Sequence, residues 1–356
     1  MERLIVKNFG PLKDVDIELN KINLFIGENG SGKSVLAKVV TLVLDLENHT
    51  IDEKTLFRKF QEYYIGFFRH ETIIQFFSKE SLLFEIKNKQ INSIGRAFKE
   101  EHFFIQHEIK KAQERIVSEN KLTTQYIPAE RNLIALFNKS LTTLLVAEVP
   151  LPKFLLHFTS EFEKAGNELK ELKFLNVKYV NGDGLDRHKV YFNDENYLSL
   201  EHSSSGIQSS LPLYLTVKYF ANRHSSIIIE EPEQNLFPKA QAETIKYIVE
   251  QVSDENSLFM MTHSPYVLST LNILMMAHKV GNLNDKTKYE VEKFIPQAQW
   301  MNRDEFSAYY LKDGVARDIK GRTGLISNNE IDEISDDIQS EFEELLTIYR
   351  EHKNDK

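Results

Sequence analysis

Alternating apolar and polar positions at the start of the chain predict a sheet. Leu4–Lys7 and Val15–Leu19 alternate with period two, and Ile22–Ile26 is a nearly continuous apolar run. Alternation is typical of a strand with one buried face, whereas a short uninterrupted run indicates a strand that is buried on both faces. We therefore predict three strands, of which the third is buried.

The middle of the chain has a less regular pattern. Residues 35–120 are rich in Phe, Lys and Glu and predict mostly helix, with one strand at Ser81–Lys87. A short strand over residues 124–128 is expected next, followed by a helix over Asn132–Val146. The apolar positions of Phe154–Leu172 then fit an amphipathic helix.

Strand patterns dominate again in the second half of the chain. Phe174–Val180 and Lys189–Phe192 alternate on either side of a glycine-containing turn, which predicts a hairpin. Apolar residues between Ile331 and Tyr349 step by three and four, which predicts an amphipathic helix at the tail. Between them, strands and helices alternate in a way that favours a parallel sheet. These segments are Ile227–Glu230, Lys239–Val252, Ser257–Thr262 and Tyr266–Met276.

A glycine-rich loop follows the third predicted strand. Gly27–Ser34 fits the phosphate-binding pattern G-x-x-x-x-G-K-[ST], and the apolar segment Val35–Val40 behind it predicts a helix. Glycines let the backbone wrap an anion, and the start of a helix offers unpaired N–H groups. Lys33 can reach the β- and γ-phosphates, and the Ser34 hydroxyl can hold Mg²⁺. The candidate nucleotide-binding residues are Gly27, Asn29, Gly30, Ser31, Gly32, Lys33 and Ser34.

Composition narrows the classes of function. The chain has 356 residues, a formal charge of −9 and no cysteine, so disulfides and thiolate metal sites are excluded. No apolar run approaches the length of a membrane span, and we expect a cytoplasmic protein without a membrane partner. Nucleic acid is a possible partner that the acidic charge does not favour, although a local basic groove stays open.

Two adjacent acids end the apolar strand that begins at Ile227. Ligands of parallel sheets bind at the carboxyl ends of strands, where the glycine-rich loop is also expected. Glu230 would support Mg²⁺ directly or through water, and Glu231 would be the general base for an attacking water. The alternative is a solvated strand end, which commonly carries charge.

Two further motifs fit the same edge. His263 follows the strand Ser257–Thr262 and could hydrogen-bond a γ-phosphate or the attacking water, although a lone histidine is more often structural. Ser203–Gln208 precedes a predicted helix over Ser209–Phe220. This segment is either a flexible serine loop with a helix cap or a helix start directed at the nucleotide of a second subunit.

The order of the four motifs resembles ATP-binding-cassette (ABC) ATPases of the class that contains RecF, the structural-maintenance-of-chromosomes (SMC) heads and the overcoming-lysogenization-defect (OLD) proteins. Gly27–Ser34 matches Walker A, Ser204–Gln208 the signature, Ile227–Glu231 Walker B with the catalytic acid, and His263 the switch histidine. The resemblance covers about residues 1–270. It implies an α/β P-loop NTPase fold, namely an ABC-ATPase head with a mixed sheet, an antiparallel β subdomain and a helical lobe.

A single ABC-type domain over residues 1–356 is the organisation that this resemblance implies. Residues 1–40 and 200–280 would form the nucleotide-binding core. Residues 41–199 would be a helical and β-hairpin insertion, and residues 281–356 a C-terminal extension that ends in the amphipathic helix.

The chain departs from the family pattern at several positions. Ile207 replaces the second glycine of the signature, and Glu230 stands where many members have Asp. Asn235 and Phe237 replace two histidines of the OLD branch. Tyr126–Arg131 lies where such proteins carry the loop that links the nucleotide to the helical lobe, so the resemblance implies a coupling role for it.

The resemblance implies an ATP-dependent dimerising switch with Mg²⁺ as its metal ion. Two subunits would enclose two ATP molecules, and Walker A and B of one would face Ser205, Gly206 and Gln208 of the other. Hydrolysis to ADP and phosphate would then open or relax the homodimer. The catalytic residues would be Lys33, Glu231 and His263, with Ser34 and Glu230 at the metal.

The partner and the biological role are less constrained. Residues after His263 lack the strand-end Glu and later Asp-x-Asp of the OLD nuclease, so we predict no intrinsic nuclease activity. Stand-alone ATPases of this kind resemble subunits of antiphage systems such as PARIS and Septu, which act with a separate nuclease or toxin. The alternatives are the nucleotide-binding subunit of an ABC transporter and a RecF- or SMC-like DNA-repair ATPase.

Overall fold

Strands and helices alternate along most of the chain. The computed structural model describes residues 2–47, 53–93, 123–137, 146–182, 187–221, 223, 225–327, 340–348 and 350. The strands are β1 (Glu2–Phe9), β2 (Leu12–Leu19), β3 (Ile22–Gly27), β4 (Ile73–Ser78), β5 (Ser81–Lys87), β6 (Gln90–Ser93), β7 (Thr123–Ile127), β8 (Glu171–Phe174), β9 (Val177–Asn181), β10 (His188–Tyr191), β11 (Tyr197–Ser199), β12 (Ser225–Glu230), β13 (Asn256–Thr262), β14 (Phe306–Lys312) and β15 (Val315–Asp318). The helices are α1 (Lys33–Glu47), α2 (Glu53–Glu62), α3 (Leu133–Phe137), α4 (Lys153–Leu169), α5 (Ser205–Ala221), α6 (Pro238–Gln251), α7 (Pro265–Gly281) and α8 (Asp285–Glu292).

One large mixed sheet organises these elements. Its eleven strands run in the order β6-β5-β4-β1-β2-β15-β14-β3-β13-β12-β7. The β14-β3-β13-β12-β7 half is entirely parallel, whereas neighbours from β6 to β2 pair antiparallel. A separate antiparallel sheet has the order β11-β10-β9-β8. The predicted α/β fold with a mixed sheet is confirmed.

Side chains of the parallel strands alternate between two hydrophobic cores. Leu24 and Ile26 of β3 point into one core, and Phe25 points into the other. Helix α5 packs into the first core, for example through Leu215, whereas α1 packs into the second through Leu36. Because alternate residues of a strand face opposite sides of the sheet, α1 and α5 lie on opposite faces.

Several sequence predictions agree closely with the structure. The three N-terminal strands, the helix α4, the hairpin β9–β10 and the alternation from β12 to α7 all form where the patterns indicated them. Residues 340–348 are helical, as expected for part of the tail, while residues 328–339 lie outside the described residues. Every helix in the described part of the chain is too short or too polar to span a lipid bilayer.

The region predicted to be mostly helical is partly a sheet. Only β5 was expected there, but β4 and β6 flank it, and β4 continues the sheet by pairing with β1. Alternate side chains of this meander, such as Ile74, Phe76 and Ile86, are buried. Tertiary pairing with β1 therefore decides the conformation of residues 73–93. Residues 94–122 lie outside the described part of the chain.

The helix expected over Asn132–Val146 is helical where it is described. A 3₁₀ turn at Ala129–Asn132 leads into helix α3, Val146 is also helical, and residues 138–145 lie outside the described residues. Strand β14, from the predicted C-terminal extension, pairs with β3 in the middle of the sheet. Nearly all of its side chains are buried, so this part of the expected C-terminal extension contributes to the hydrophobic cores on both faces of the sheet.

The Phe25 side chain of β3 packs against β14. Truncation of this side chain tests the placement of β14 beside β3. The ring of Phe25 stacks on Tyr309 of β14 with centroids 5.9 Å apart. We expect Phe25→Ala to lower the free energy of unfolding by about 3–5 kcal/mol, because it leaves a cavity in a packed core. The control Phe237→Ala, at a residue with 79% exposure, should stay within about 0.5 kcal/mol of the parent. Equal values in denaturant titrations would contradict the packing.

Candidate functional site

The glycine-rich loop connects β3 to α1 at the carboxyl edge of the sheet. A side chain at Gly27 would place its Cβ 2.3 Å from the carbonyl oxygen of Leu311 in β14. Gly32 has a φ of +105°, and a Cβ there would lie 2.7 Å from Leu12. Both positions therefore require glycine. The loop brings together the whole predicted set, namely Gly27, Asn29, Gly30, Ser31, Gly32, Lys33 and Ser34.

Lys33 folds back over this loop. Its Nζ donates hydrogen bonds to the carbonyl oxygens of Gly27 at 2.6 Å and Glu28 at 2.8 Å. Burial lowers the pKa of the Lys33 ammonium, and nearby glutamates oppose that shift. An ammonium has three protons, so the two carbonyls leave one for a further acceptor. The loop thus holds a largely desolvated cation where an anion would lie.

Ser34 and Glu230 meet across the sheet edge. The Ser34 hydroxyl donates to Oε2 of Glu230 at 2.7 Å, and the Tyr126 hydroxyl of β7 donates to Oε1. Glu230 is 4% exposed. Burial raises the pKa of Glu230, and the two hydroxyl donors oppose that rise. The structure therefore brings together the two residues predicted to hold a metal ion.

The chemistry of this pair fits Mg²⁺. Mg²⁺ prefers oxygen ligands and is commonly bound by one or two protein groups together with phosphates and water. Ser34 and Glu230 offer such oxygens side by side. Within the described residues, no cluster of three or more His, Cys, Asp or Glu could hold a metal ion by itself. A metal here would accordingly depend on a phosphate ligand.

Glu231 and His263 face each other just beyond the ends of β12 and β13. Glu231 has a φ of +45°, a strained value for a residue with a side chain, and its amide donates to Met261 O at 2.8 Å. His263 Nδ1 lies 3.8 Å from Oε1 of Glu231. These two side chains open into a cleft of about 540 Å³. The predicted base and the predicted switch histidine are therefore neighbours.

Glu233 is a third carboxylate that sequence reasoning did not single out as a site residue. It is 4% exposed, and its Oε1 accepts hydrogen bonds from the Thr262 hydroxyl at 2.6 Å and from the His263 amide at 3.1 Å. These bonds fix the loop that carries His263. The signal in the sequence was the second acid of Glu231-Pro232-Glu233.

The predicted signature residues lie apart from this cluster. Ser205 and Gly206 begin α5, which packs on the face opposite α1. The Gln208 amide donates to the carbonyl oxygens of Glu201 and Ser203, both at 3.0 Å, so this side chain secures the preceding loop. Ser205, Gly206 and Gln208 are thus not joined to the glycine-rich loop by any hydrogen bond between described residues.

Arg131 ends the segment for which the resemblance implied a coupling role, but its burial against the acids of β12 was not predicted. Its guanidinium has no exposure and donates to the carbonyl oxygens of Pro128, Ser209, Glu230 and Glu231. Burial lowers the pKa of Arg131 to about 10, so it stays charged at neutral pH. Its position after Pro128 in the expected coupling loop was the available signal.

A family comparison agrees with this arrangement. The family model described as an AAA ATPase domain (AAA_15) matches residues 1–148 and 85–268, which is most of the chain. The chain belongs to this AAA ATPase domain family. The match includes the glycine-rich loop, both acids and His263. No curated protein sequence matches the chain.

Solved structures that match this AAA ATPase domain protein do so at low sequence identity. The ADP conformation of MJ1267, an ATP-binding cassette of an ABC transporter, is 14% identical with a TM-score of 0.41, covering 94% of this chain and 98% of that chain. The SMC head domain from Thermotoga maritima is 13% identical with a TM-score of 0.41, covering 89% and 97%.

Family membership and sheet topology together confirm the predicted fold class. The AAA ATPase domain has the mixed sheet, the antiparallel strands β1, β2 and β4–β6, and the helices expected of a P-loop NTPase head. The roles of individual residues stay predictions.

A substitution of Glu230 in this AAA ATPase domain tests the electrostatics of the site. Burial raises the pKa of Glu230. The folded chain therefore holds the carboxyl proton of Glu230 more firmly than the unfolded chain does. The stability that this proton contributes is therefore present at acidic pH and is lost as the pH rises through the raised pKa. We expect Glu230→Gln to stabilise the fold more at mildly alkaline than at acidic pH, measured by denaturant titration.

A matched control is Glu255→Gln, which alters an exposed carboxylate. Its change in the free energy of unfolding should be small. Identical pH profiles for the two variants would contradict the account of Glu230.

Proposed function

We propose that the chain binds ATP and hydrolyses it to ADP and phosphate. The observation that carries this proposal is the contact between Ser34 Oγ and Glu230 Oε2 at 2.7 Å, which joins the glycine-rich loop to the acids of β12. Lys33 lies over the loop, and Glu231 and His263 face each other beyond the ends of β12 and β13. Family membership supports the same activity class.

Each side chain would have a defined part in hydrolysis. Lys33 would bind the β- and γ-phosphate oxygens. Glu231 would accept a proton from water while the water oxygen bonds to the γ-phosphorus and the bond to the β–γ bridging oxygen breaks. His263 would orient the water or the γ-phosphate. Mg²⁺ held by Ser34 and Glu230 would supply positive charge that offsets the phosphate oxygens.

We further propose that two copies of the chain form the complete site. Support comes from the packing of α1 and α5 on opposite faces of the sheet. Ser205, Gly206 and Gln208 would then face the nucleotide of the second copy, where the start of α5 offers unpaired N–H groups. ATP would favour the dimer, and hydrolysis would relax it.

Such a switch would act on a separate effector, which we propose to be a nuclease or toxin of an antiphage system in the cytoplasm. This part rests on the resemblance to stand-alone ATPase subunits of that kind. Co-purification of the chain from its native host, followed by identification of bound protein, tests it. Recovery of a permease as the stable partner would instead support a transporter subunit.

Replacement of the proposed base separates binding from hydrolysis. We expect Glu231→Gln to lower the turnover number by about 100-fold or more, because the amide cannot accept the proton of water. ATP should still bind, and sedimentation should detect a longer-lived ATP-bound dimer. Glu243→Gln on α6, whose carboxylate lies on the surface, should match the parent. Normal turnover by Glu231→Gln would show that another group is the base.

Loss of the loop cation should act on nucleotide affinity. We expect Lys33→Ala to raise the dissociation constant of ATP by about 10- to 100-fold, since a hydrogen bond to a charged group contributes about 1.5–3 kcal/mol. Calorimetric titration measures this change. Lys239→Ala, at a lysine with 84% side-chain exposure, should bind ATP normally. Unchanged affinity of Lys33→Ala would remove the central claim.

A further inference from the structure

Three main-chain segments are joined by one buried side chain. Nε of Arg131 donates to the carbonyl of Ser209 at 2.9 Å, one terminal nitrogen to Glu230 at 2.7 Å, and the other to Glu231 at 2.6 Å. A fourth bond at 3.1 Å reaches Pro128. Ser209 belongs to the first turns of α5, whereas Glu230 and Glu231 end β12. The guanidinium thus ties α5 directly to the backbone of the proposed base.

A second link joins the same two segments. The Asn235 amide donates to the hydroxyl of Ser209 at 2.8 Å. A Cβ at Gly206 would lie only 3.0 Å from the Asn235 carbonyl oxygen, so the start of α5 packs closely on the turn that follows Glu231. Glu231 and Asn235 both have positive φ, at +45° and +59°. Such conformations persist where surrounding contacts hold them.

Movement of α5 relative to β12 would have an electrostatic cost. A buried guanidinium without its acceptors is strongly disfavoured, because no water replaces the lost hydrogen bonds. The start of α5 and the backbone of Glu230 and Glu231 must therefore shift together. Since Ser205 and Gly206 lie in the first turn of α5, any contact that moves them also moves Glu231.

We propose that Arg131 and Asn235 act as positioning residues that couple the start of α5 to Glu231 within one subunit. Nucleotide contacts at Ser205 and Gly206 would set the position of the base through Ser209. This inference rests on the proposed ATPase function and adds its regulation. Arg131 is suited to the task because its planar fork serves several fixed acceptors at once, whereas a lysine ammonium cannot span them.

Substitution of Arg131 by Lys tests the coupling in the full-length chain. We expect Arg131→Lys to lower the turnover number by about 10- to 100-fold, the scale on which misplaced catalytic groups lose activity. The dissociation constant of a fluorescent ATP analogue should change by less than about twofold, because the hydrogen bonds of Arg131 between described residues go to other segments than the glycine-rich loop. The unequal response of turnover and affinity separates positioning from general loss of structure.

The matched control is Arg223→Lys at the opposite end of α5. Arg223 also donates to a main-chain carbonyl, that of Tyr219, and pairs with Glu168 at 2.8 Å. Its replacement should leave turnover and nucleotide affinity at parental values. Parental turnover by Arg131→Lys, or equal losses of turnover and affinity, would overturn the coupling.

Asn235→Gly provides an independent test if Arg131→Lys does not fold. Glycine accepts the positive φ and removes only the amide link to Ser209. Turnover should fall by about 10-fold with unchanged nucleotide affinity and melting temperature; parental turnover would overturn the proposal. An unmodified chain without ATPase activity would instead refute the proposed function itself, so the two failures are distinguishable.

Discussion

Parallel pairing of β3, β13 and β12 determines where chemistry can take place in this chain. The register aligns Phe25 with Met261, and Met261 with Glu230, so the three strands end together. Segments that leave their carboxyl ends therefore converge at one edge of the sheet. The Ser34 hydroxyl consequently reaches Glu230 from a helix that begins two strands away. A shift in either pairing would separate the loop from the acids.

The convergence of these segments also brings several charged side chains together where little water reaches them. Glu230, Glu233 and Arg131 are nearly or fully buried, and each is held by hydrogen bonds to hydroxyls or to main-chain groups. Such bonds offset part of the cost of removing an ion from water, but they do not abolish it. The raised pKa of Glu230 records the remaining cost. A bound cation and a bound anion could together stabilise these buried charged groups.

Local patterns in the sequence predicted where the motifs of the site lie. They did not predict which distant segments come into contact there. Gly27–Ser34, Glu230 and His263 each follow an apolar strand, so strand ends alone located them. Strand β14 pairs with β3 far away in sequence, and periodicity does not indicate which strands become neighbours. The contacts of Arg131 were likewise not predictable from local patterns. Its place in the expected coupling loop was visible in the sequence, but its burial is favourable only because carbonyls of distant segments accept its hydrogen bonds.

The residues of the proposed site lie on both faces of the large sheet. Helix α1 and its loop lie on one face with Lys33 and Ser34, whereas α5 lies on the other. β12 belongs to both cores, because Ile228 faces one and Ile227 faces the other. Its last residue, Glu230, is consequently in contact with Ser34 from the first face and with Arg131 from the second. Communication between the two faces therefore passes through the end of this strand, where the proposed base begins the next turn.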